Sequence, residues 1–362
     1  MPPEQPAASP FPFNVEKLHA YLQSTLGLRG PATIGQFPHG FSNLTYRVIL
    51  DDEKQGPLQL VVRRPPVGAD VQGGHNMTRE WMMLDKLHGH LPVPKPLAYE
   101  GFGYVIGAPF YVMERVHGVI LRGTTADIPD ATTVAGIAET FVDTFAMLHG
   151  LDLETIGLAE FGKPEGYVRR QVEGWTQRWQ RAQTDPVPDI DRACAWLDEH
   201  QPGESYTSAS VASLIHNDFK HDNLILDPDD LTQIRAILDW ELATVGDPLM
   251  DLGSTLGYWI EPSDHPVLQS LNVSPTTWPG TPTREEFVAH YEAATGRPVE
   301  HVVFYYVYGL VKLAVIAQQI YARWQAGVAT DARFEHLIHA VRACGETAVR
   351  AIERQRISAL FD

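Results

Sequence analysis

Val15, Leu18, Leu22 and Leu26 recur with a helical period that stops at Gly27 and Gly30, so residues 14–26 predict an amphipathic helix. The pattern then shortens to β-type runs over 33–37, 44–50 and 58–63, with a turn over 51–56 between the last two. A second helix is predicted over 78–87, then strands over 97–101 and 110–114 separated by a Gly-rich turn. Those segments make a small antiparallel sheet with one interior helix. Beyond 116–119 the period is mostly helical: 130–149, 165–183 and 190–200, then 248–258, 284–294, 302–326 and 332–357. Strand-like runs interrupt it over 214–239. With no internal repeat or low-complexity linker, the expectation is an α+β chain of two lobes forming one unit. A Pro-rich lead-in over 1–12, expected to be disordered, precedes a sheet lobe over 13–116 and a larger helical lobe over 117–362.

Composition changes this picture little. A chain of 362 residues, 44% hydrophobic and 20% charged, has the make-up of an ordinary globular protein with room for two cores. Two cysteines, Cys194 and Cys344, give no disulfide framework and no paired-cysteine metal knuckle. The N-terminus lacks the basic and apolar regions of a signal peptide, and a cytoplasmic location is expected. A formal net charge of −17 argues against nucleic-acid binding, which depends on cations neutralising phosphates. The very apolar stretch 301–324 is interrupted by Lys312 and is read as a buried helix, so no membrane partner is expected.

The chemistry concentrates in two polar islands. His216-Asn217-Asp218-Phe219-Lys220-His221-Asp222-Asn223 lies between apolar runs, and Ile237-Leu238-Asp239-Trp240-Glu241 follows. Phosphoryl transfer calls for such a set: a carboxylate (Asp218) to orient an attacking hydroxyl, with an amide (Asn223) and a second carboxylate (Asp239) to hold Mg²⁺ against phosphates. Alone, Asp218 is equally an Asx-turn residue, and Asn223 and Asp239 equally a turn and a strand cap. Their joint spacing, H-x-D-x-x-x-x-N and then D, is that of a kinase catalytic loop and metal loop. A zinc or iron site from His216, Asp218, His221 and Asp222 is the other reading of the first island. No third histidine stands at ligand spacing, and His216 is read as a structural residue bonded to loop backbone.

With Pro92-Val93-Pro94-Lys95-Pro96, the run Gly107 to Glu114 and the run Gly246 to Gly253, these islands make the chain resemble the aminoglycoside phosphotransferase family of small-molecule kinases. Within it, the chain is most similar to the branch resembling the kinase-like N-terminal domain fused to certain acyl-CoA dehydrogenases. The resemblance implies a bilobal protein-kinase-like fold and transfer of a phosphate from ATP, or GTP, to a small-molecule hydroxyl. It also implies roles by position. Lys220 would touch the transferred phosphate, or else be a solvated surface lysine. Arg63 stands where kinases carry the lysine that reaches the phosphates, and Glu80 is its partner. Arg64 is expected to face solvent. Gly40 and Ser42 (or Asn43) sit where a phosphate-covering loop belongs, without a G-x-G-x-x-G. The Glu114 carbonyl and Val116 amide would meet adenine. Asp247 before Pro248 predicts a helix N-cap, to which the resemblance adds bracing of the metal loop.

Only Trp240 to Gly246 separate Asp239 from the next helix, too little for a protein kinase's peptide platform, so a small-molecule acceptor is expected. Aminoglycosides, choline, homoserine and hydroxylated acyl compounds all remain open, as does oligomeric state. Tyr167, Trp175, Trp179, Tyr258 and Trp259 are either pocket or core aromatics. The rival reading is a nucleotide-binding pseudokinase module, favoured by Arg63 and the sparse glycine loop and opposed by the intact Asp218, Asn223 and Asp239.

Overall fold

The computed structural model describes residues 11–37, 43–52, 56–66, 76–203 and 212–362. The chain divides into two compact units, Met1–His117 with Ala236–Leu242, and Gly118–Arg235 with Ala243–Asp362. The return of Ala236–Leu242 to the first unit was not legible in the sequence.

In the first unit, helix α1 (Val15–Leu26) is capped by Asn14, whose side chain accepts from Lys17 N, and ends at Gly27 with φ 67°. Strands β1 (Ala32–Gln36), β2 (Leu44–Asp52), β3 (Gly56–Arg64), β4 (Pro96–Glu100) and β5 (Phe110–Glu114) form one sheet in the order β1-β2-β3-β5-β4. Every pair is antiparallel. Strand alternation sorts the sheet into two faces. Tyr46, Val48, Leu60, Val62, Phe110 and Val112 share one core with Leu18 and Leu22 of α1. Arg63 and Tyr111 are cross-strand partners, and both reach Glu80 on helix α2 (Met77–Leu87). The returning segment is pinned by Ile237 N, which donates to Pro92 O at 2.7 Å. Trp240, 2% exposed, donates its Nε1 to Ile237 O at 3.0 Å.

Arg64 corrects an expectation. It is 4% exposed, its Nε donating to Pro65 O and its Nη1 to Pro12 O. Phe11 stacks on Phe13, and both rings meet Tyr46 edge-on. Arg64 shares the face of Leu60 and Val62, and that aromatic group with the Pro12 carbonyl covers its end, which the sequence reading left open to solvent.

The second unit contains helices α3 (Ala131–His149), α4 (Tyr167–Ala182), α5 (Pro188–Glu199), α6 (Pro248–Tyr258), α7 (Pro266–Ser270), α8 (Arg284–Thr295), α9 (Val302–Gln325) and α10 (Leu337–Arg354). Its short strands are β6 (Ser213–Ile215), β7 (Leu224–Leu226), the start of β8 (Ile234–Ile237) and β9 (Thr244–Gly246). β6 pairs antiparallel with β9, a contact that the pattern of three-residue runs did not reveal. The helix expected over 332–357 is instead a 3-10 turn, Ala332–His336, followed by α10. Asp331 caps that turn by accepting from Arg333 N.

α9 is long and apolar enough to span a membrane, yet 78% of its apolar window is buried inside the protein, as a core helix is. Its contact with α6 depends on two glycines. A Cβ on Gly309 would lie 1.9 Å from Gly253 O, and one on Gly253 would lie 2.0 Å from Tyr305 O. Only glycine permits this approach. It fixes the two helices that carry Asp251 and Lys312, the groups beneath the Asp218 loop.

Candidate active site

One cluster lies in the first unit. The Arg63 guanidinium meets three carboxylates: Nε to Glu80 Oε2 at 3.2 Å, Nη2 to Asp239 Oδ1 at 2.6 Å and Nη2 to Glu241 Oε2 at 3.2 Å. A planar fork can serve several acceptors in this way where a single ammonium would serve fewer. Tyr111 Oη donates to Glu80 at 2.7 Å. Burial works against the arginine's charge, but Tyr111, Glu80, Asp239 and Glu241 together hold its pKa well above the ordinary value. Burial raises Glu80, with Arg63 pulling the other way. Asp239 takes a left-handed backbone at φ 67° and keeps its side chain 31% exposed. A non-glycine residue in that region is held there by its surroundings, a frequent sign of function.

Sequence reasoning named Arg63, Glu80 and Asp239 and missed Glu241. The only signal for Glu241 is its place two residues after Asp239. Asn43, a suggested phosphate donor, instead donates its amide to Glu80 Oε1 at 2.9 Å and Glu241 Oε2 at 3.0 Å. Gly40 and Ser42 lie outside the described residues. Glu114 closes β5 opposite Leu60, and its N and Oε1 bond Lys95. Val116 lies two residues on, half-buried.

The second cluster lies in the second unit. After β6 the chain turns at Asn217, with φ 65°, into the Asp218 loop, and a 3-10 turn (His221–Asn223) presents the asparagine. Asn223 Nδ2 donates to Asp218 O at 2.8 Å and to Oδ2 at 3.0 Å, so its carbonyl oxygen is the atom it can offer a cation. Lys220 Nζ lies 2.8 Å from Asp218 Oδ2 and 4.7 Å from the centre of the Tyr258 ring. Burial opposes the lysine's charge, but Tyr258 and Asp218 outweigh it and raise its pKa.

The loop is held from below by residues the sequence did not assign. Asp251, wholly buried on α6, accepts from His216 N at 2.6 Å and Asn217 N at 2.8 Å. His149 Nε2 lies 3.3 Å from Asp251, and its Nδ1 lies 2.7 Å from Tyr291 Oη. Lys312, 4% exposed, donates to Asn217 O at 2.6 Å and Ser254 Oγ at 3.1 Å. The lysine that seemed only to interrupt an apolar helix therefore closes the carbonyl preceding Asp218.

His216 Nδ1 accepts from Asp218 N at 3.3 Å, matching its structural reading. His221 instead stacks on Phe141 and lies 3.1 Å from Ser274 Oγ. Among the described residues no group of three or more His, Cys, Asp or Glu is arranged for a metal. Asp247 caps α6 by accepting from Leu249 N at 2.8 Å. Of the five aromatics, Tyr167, Trp179 and Trp259 are core, while Trp175 and Tyr258 are half-buried.

Comparison with known proteins places this architecture. Residues 33–300 match the model of APH, the phosphotransferase enzyme family. Acyl-CoA dehydrogenase family member 10 of Mus musculus is 33% identical over 92% of this chain and 30% of its own length. The chain thus spans less than half of the curated relatives it matches. A crystal structure of a putative aminoglycoside phosphotransferase from Ralstonia eutropha JMP134 is similar with TM-score 0.78 and 30% identity, covering 94% of this chain and 99% of that one. The GDP and kanamycin complex of APH(2")-IIia shares the kinase-like fold at TM-score 0.58 and 17% identity, over 89% and 97% of the chains.

Proposed function

The chain belongs to the APH phosphotransferase enzyme family, and on that premise we propose that it moves the γ-phosphoryl group of ATP, or of GTP, to a hydroxyl of a small molecule. The observation that carries the reading is the Asp218 carboxylate, 17% exposed, set between Lys220 and Asn223 on a loop tied down at three backbone positions. An aspartate so held can accept a hydrogen bond from an acceptor hydroxyl and orient its oxygen toward phosphorus. The new bond joins that oxygen to the γ-phosphorus, the bond to the bridging oxygen breaks, the nucleoside diphosphate leaves, and Asp218 takes the proton. Lys220 balances charge on the transferred group.

Arg63 would bind phosphate oxygens, and the Glu114 carbonyl and Val116 amide the base. Asn223 and Asp239 offer an amide oxygen and a carboxylate, donors suited to Mg²⁺, which when bound neutralises phosphate oxygens. That Arg63 pairs with both Glu80 and Asp239 supports its taking the part of the missing lysine. A hydroxylated acyl compound is one acceptor class suggested by the dehydrogenase-linked relatives.

Calorimetric titration of ATP and GTP with and without Mg²⁺, on wild type and Asp239→Ala, tests the nucleotide site. Mg²⁺-dependent binding lost in the variant is expected. An ADP-release screen over hydroxylated metabolites, with Asp218→Ala as control, then tests transfer. No nucleotide binding would sink the reading. Stoichiometric binding without turnover on any acceptor would favour the regulatory module.

A further inference from the structure

Tyr305, Gly309 and Lys312 recur at helical spacing along α9 and so share one face. That face meets α6 where Gly309 lies against Gly253 O. The approach brings the Lys312 ammonium to Ser254 Oγ at 3.1 Å and to Asn217 O at 2.6 Å. An ammonium that is 4% exposed is costly to desolvate. Burial pulls its pKa down; Asp218 and Asp251 favour its charge, and Lys220 and Arg178 oppose it. A leucine or methionine would continue the apolar helix without that cost, so packing does not account for a lysine here.

The backbone on either side of Asp218 does. Asn217 stands at φ 65°, a region that a residue with a side chain holds only when its surroundings impose it. Asp251 accepts from His216 N and Asn217 N, and Tyr167 Oη donates to Asn217 Oδ1 at 3.2 Å. Beyond Asp218, Asn223 Nδ2 donates to Asp218 O and Thr255 Oγ1 to Phe219 O at 3.0 Å. Tyr167 lies on α4, and Asp251 and Thr255 on α6. Lys312 is the contribution of α9, and in this set of bonds it is the donor that carries a charge. Its acceptor, the Asn217 carbonyl, belongs to the same rigid peptide group as Asp218 N. Rotation of that peptide would turn Asp218 with it.

We propose that Lys312 is a positioning residue for phosphoryl transfer. By fixing the Asn217 carbonyl in its left-handed turn, it sets the direction in which the Asp218 carboxylate meets the attacking hydroxyl. The inference rests on the phosphotransferase reading and adds to it a residue that touches neither nucleotide nor acceptor. A misdirected carboxylate lowers the rate of the chemical step and leaves nucleotide binding alone.

The test compares wild type with Lys312→Met, which keeps length and loses the donor, and Lys312→Gln, which keeps an N–H donor without the charge. MgATP is the probe, with water as acceptor: its oxygen bonds to the γ-phosphorus, the bond to the bridging oxygen breaks, and ADP and phosphate leave. In Lys312→Met, kcat for ADP release should fall by about tenfold or more, the scale of one charged hydrogen bond. KM for MgATP should stay within about twofold, and Lys312→Gln should fall between the other two. Hydrogen–deuterium exchange over 213–224 should quicken in Lys312→Met while exchange over α8 keeps its wild-type rate. If Lys312→Met does not fold, Lys312→Gln must itself show the loss in kcat and the faster loop exchange. A kcat close to wild type overturns the proposal, as does unchanged loop exchange or a loss that lies wholly in KM. Calorimetric titration of MgATP separates the two levels. Wild type that binds no MgATP sinks the phosphotransferase reading and this inference with it, whereas wild-type turnover by a folded variant sinks this inference alone. Wild type that binds MgATP yet releases no ADP, to water or to any hydroxylated metabolite, leaves no transfer to position and overturns the proposal too.

Discussion

Asp251→Asn isolates the brace under the Asp218 loop. Asp251 accepts from two consecutive backbone N–H groups at 2.6 and 2.8 Å and meets His149 at 3.3 Å, all with no solvent exposure. Burial disfavours its charge, yet His149, His216 and the loop N–H groups outweigh that and keep its pKa below the usual carboxylate range. An asparagine retains one oxygen and turns an N–H₂ toward the second backbone donor, so one bond loses its charge assistance and the other becomes a donor–donor contact. Breaking such a buried set costs on the order of 3 kcal/mol. A folding unit of this size loses about 2–4 °C in Tm per kcal/mol, so the expected fall is roughly 6–12 °C. Differential scanning calorimetry at pH 7.5 measures it, beside Glu173→Gln, which removes only an exposed pair with Arg169 and should leave Tm unmoved. A shift in Asp251→Asn no larger than in that control would refute the brace. If the fold survives, kcat should drop by about tenfold or more, because the loop no longer holds Asp218 in its reacting geometry.

Arg63→Met would leave Glu80, Asp239 and Glu241 facing one another without their shared cation. MgATP affinity should fall by roughly a hundredfold, with Arg63→Lys intermediate because an ammonium cannot fork among several acceptors; isothermal titration measures both, and equal affinities in all three proteins would contradict the role. His221 supplies a pH prediction, since burial pushes its imidazole down to about 3. A folded-state value below the unfolded value of ~6.5 gives stability present in full above that pH and lost as pH falls toward the folded value. Tm should therefore decline more steeply from pH 6.5 to pH 4 in wild type than in His221→Gln, and parallel declines would show that this histidine is not buried neutral.

The site was legible where its chemistry is local. Asp218 and Asn223 stand five residues apart, and the pair is read from one polar island; the loop then joins them directly at 2.8 and 3.0 Å. Arg63 and Glu80 were named only through the family resemblance, from their places on a strand and the next helix. Asp251 and Lys312 were not found, because a buried acid or lysine within an apolar helix has the same sequence pattern whatever it bonds, and Glu241 was not, because its partners Arg63 and Asn43 lie far back along the chain. Arg64 was misjudged for a related reason. Strand alternation says which face a residue takes and nothing about what covers that face.

The sequence by itself determined most of the elements, since a period of two or of 3.6 is set by backbone geometry within a few residues. It also determined the candidate reacting groups and the absence of a long activation segment after Asp239. The tertiary structure decided which charges meet. Arg63 finds Asp239 at a separation of 176 residues, His216 finds Asp251 at 35, and Lys312 finds Asn217 at 95. The last two pairings follow from the approach of α6 to α9 at Gly253 and Gly309, where a single Cβ would collide with backbone. Such a constraint belongs to two helices at once, and no stretch of either alone encodes it.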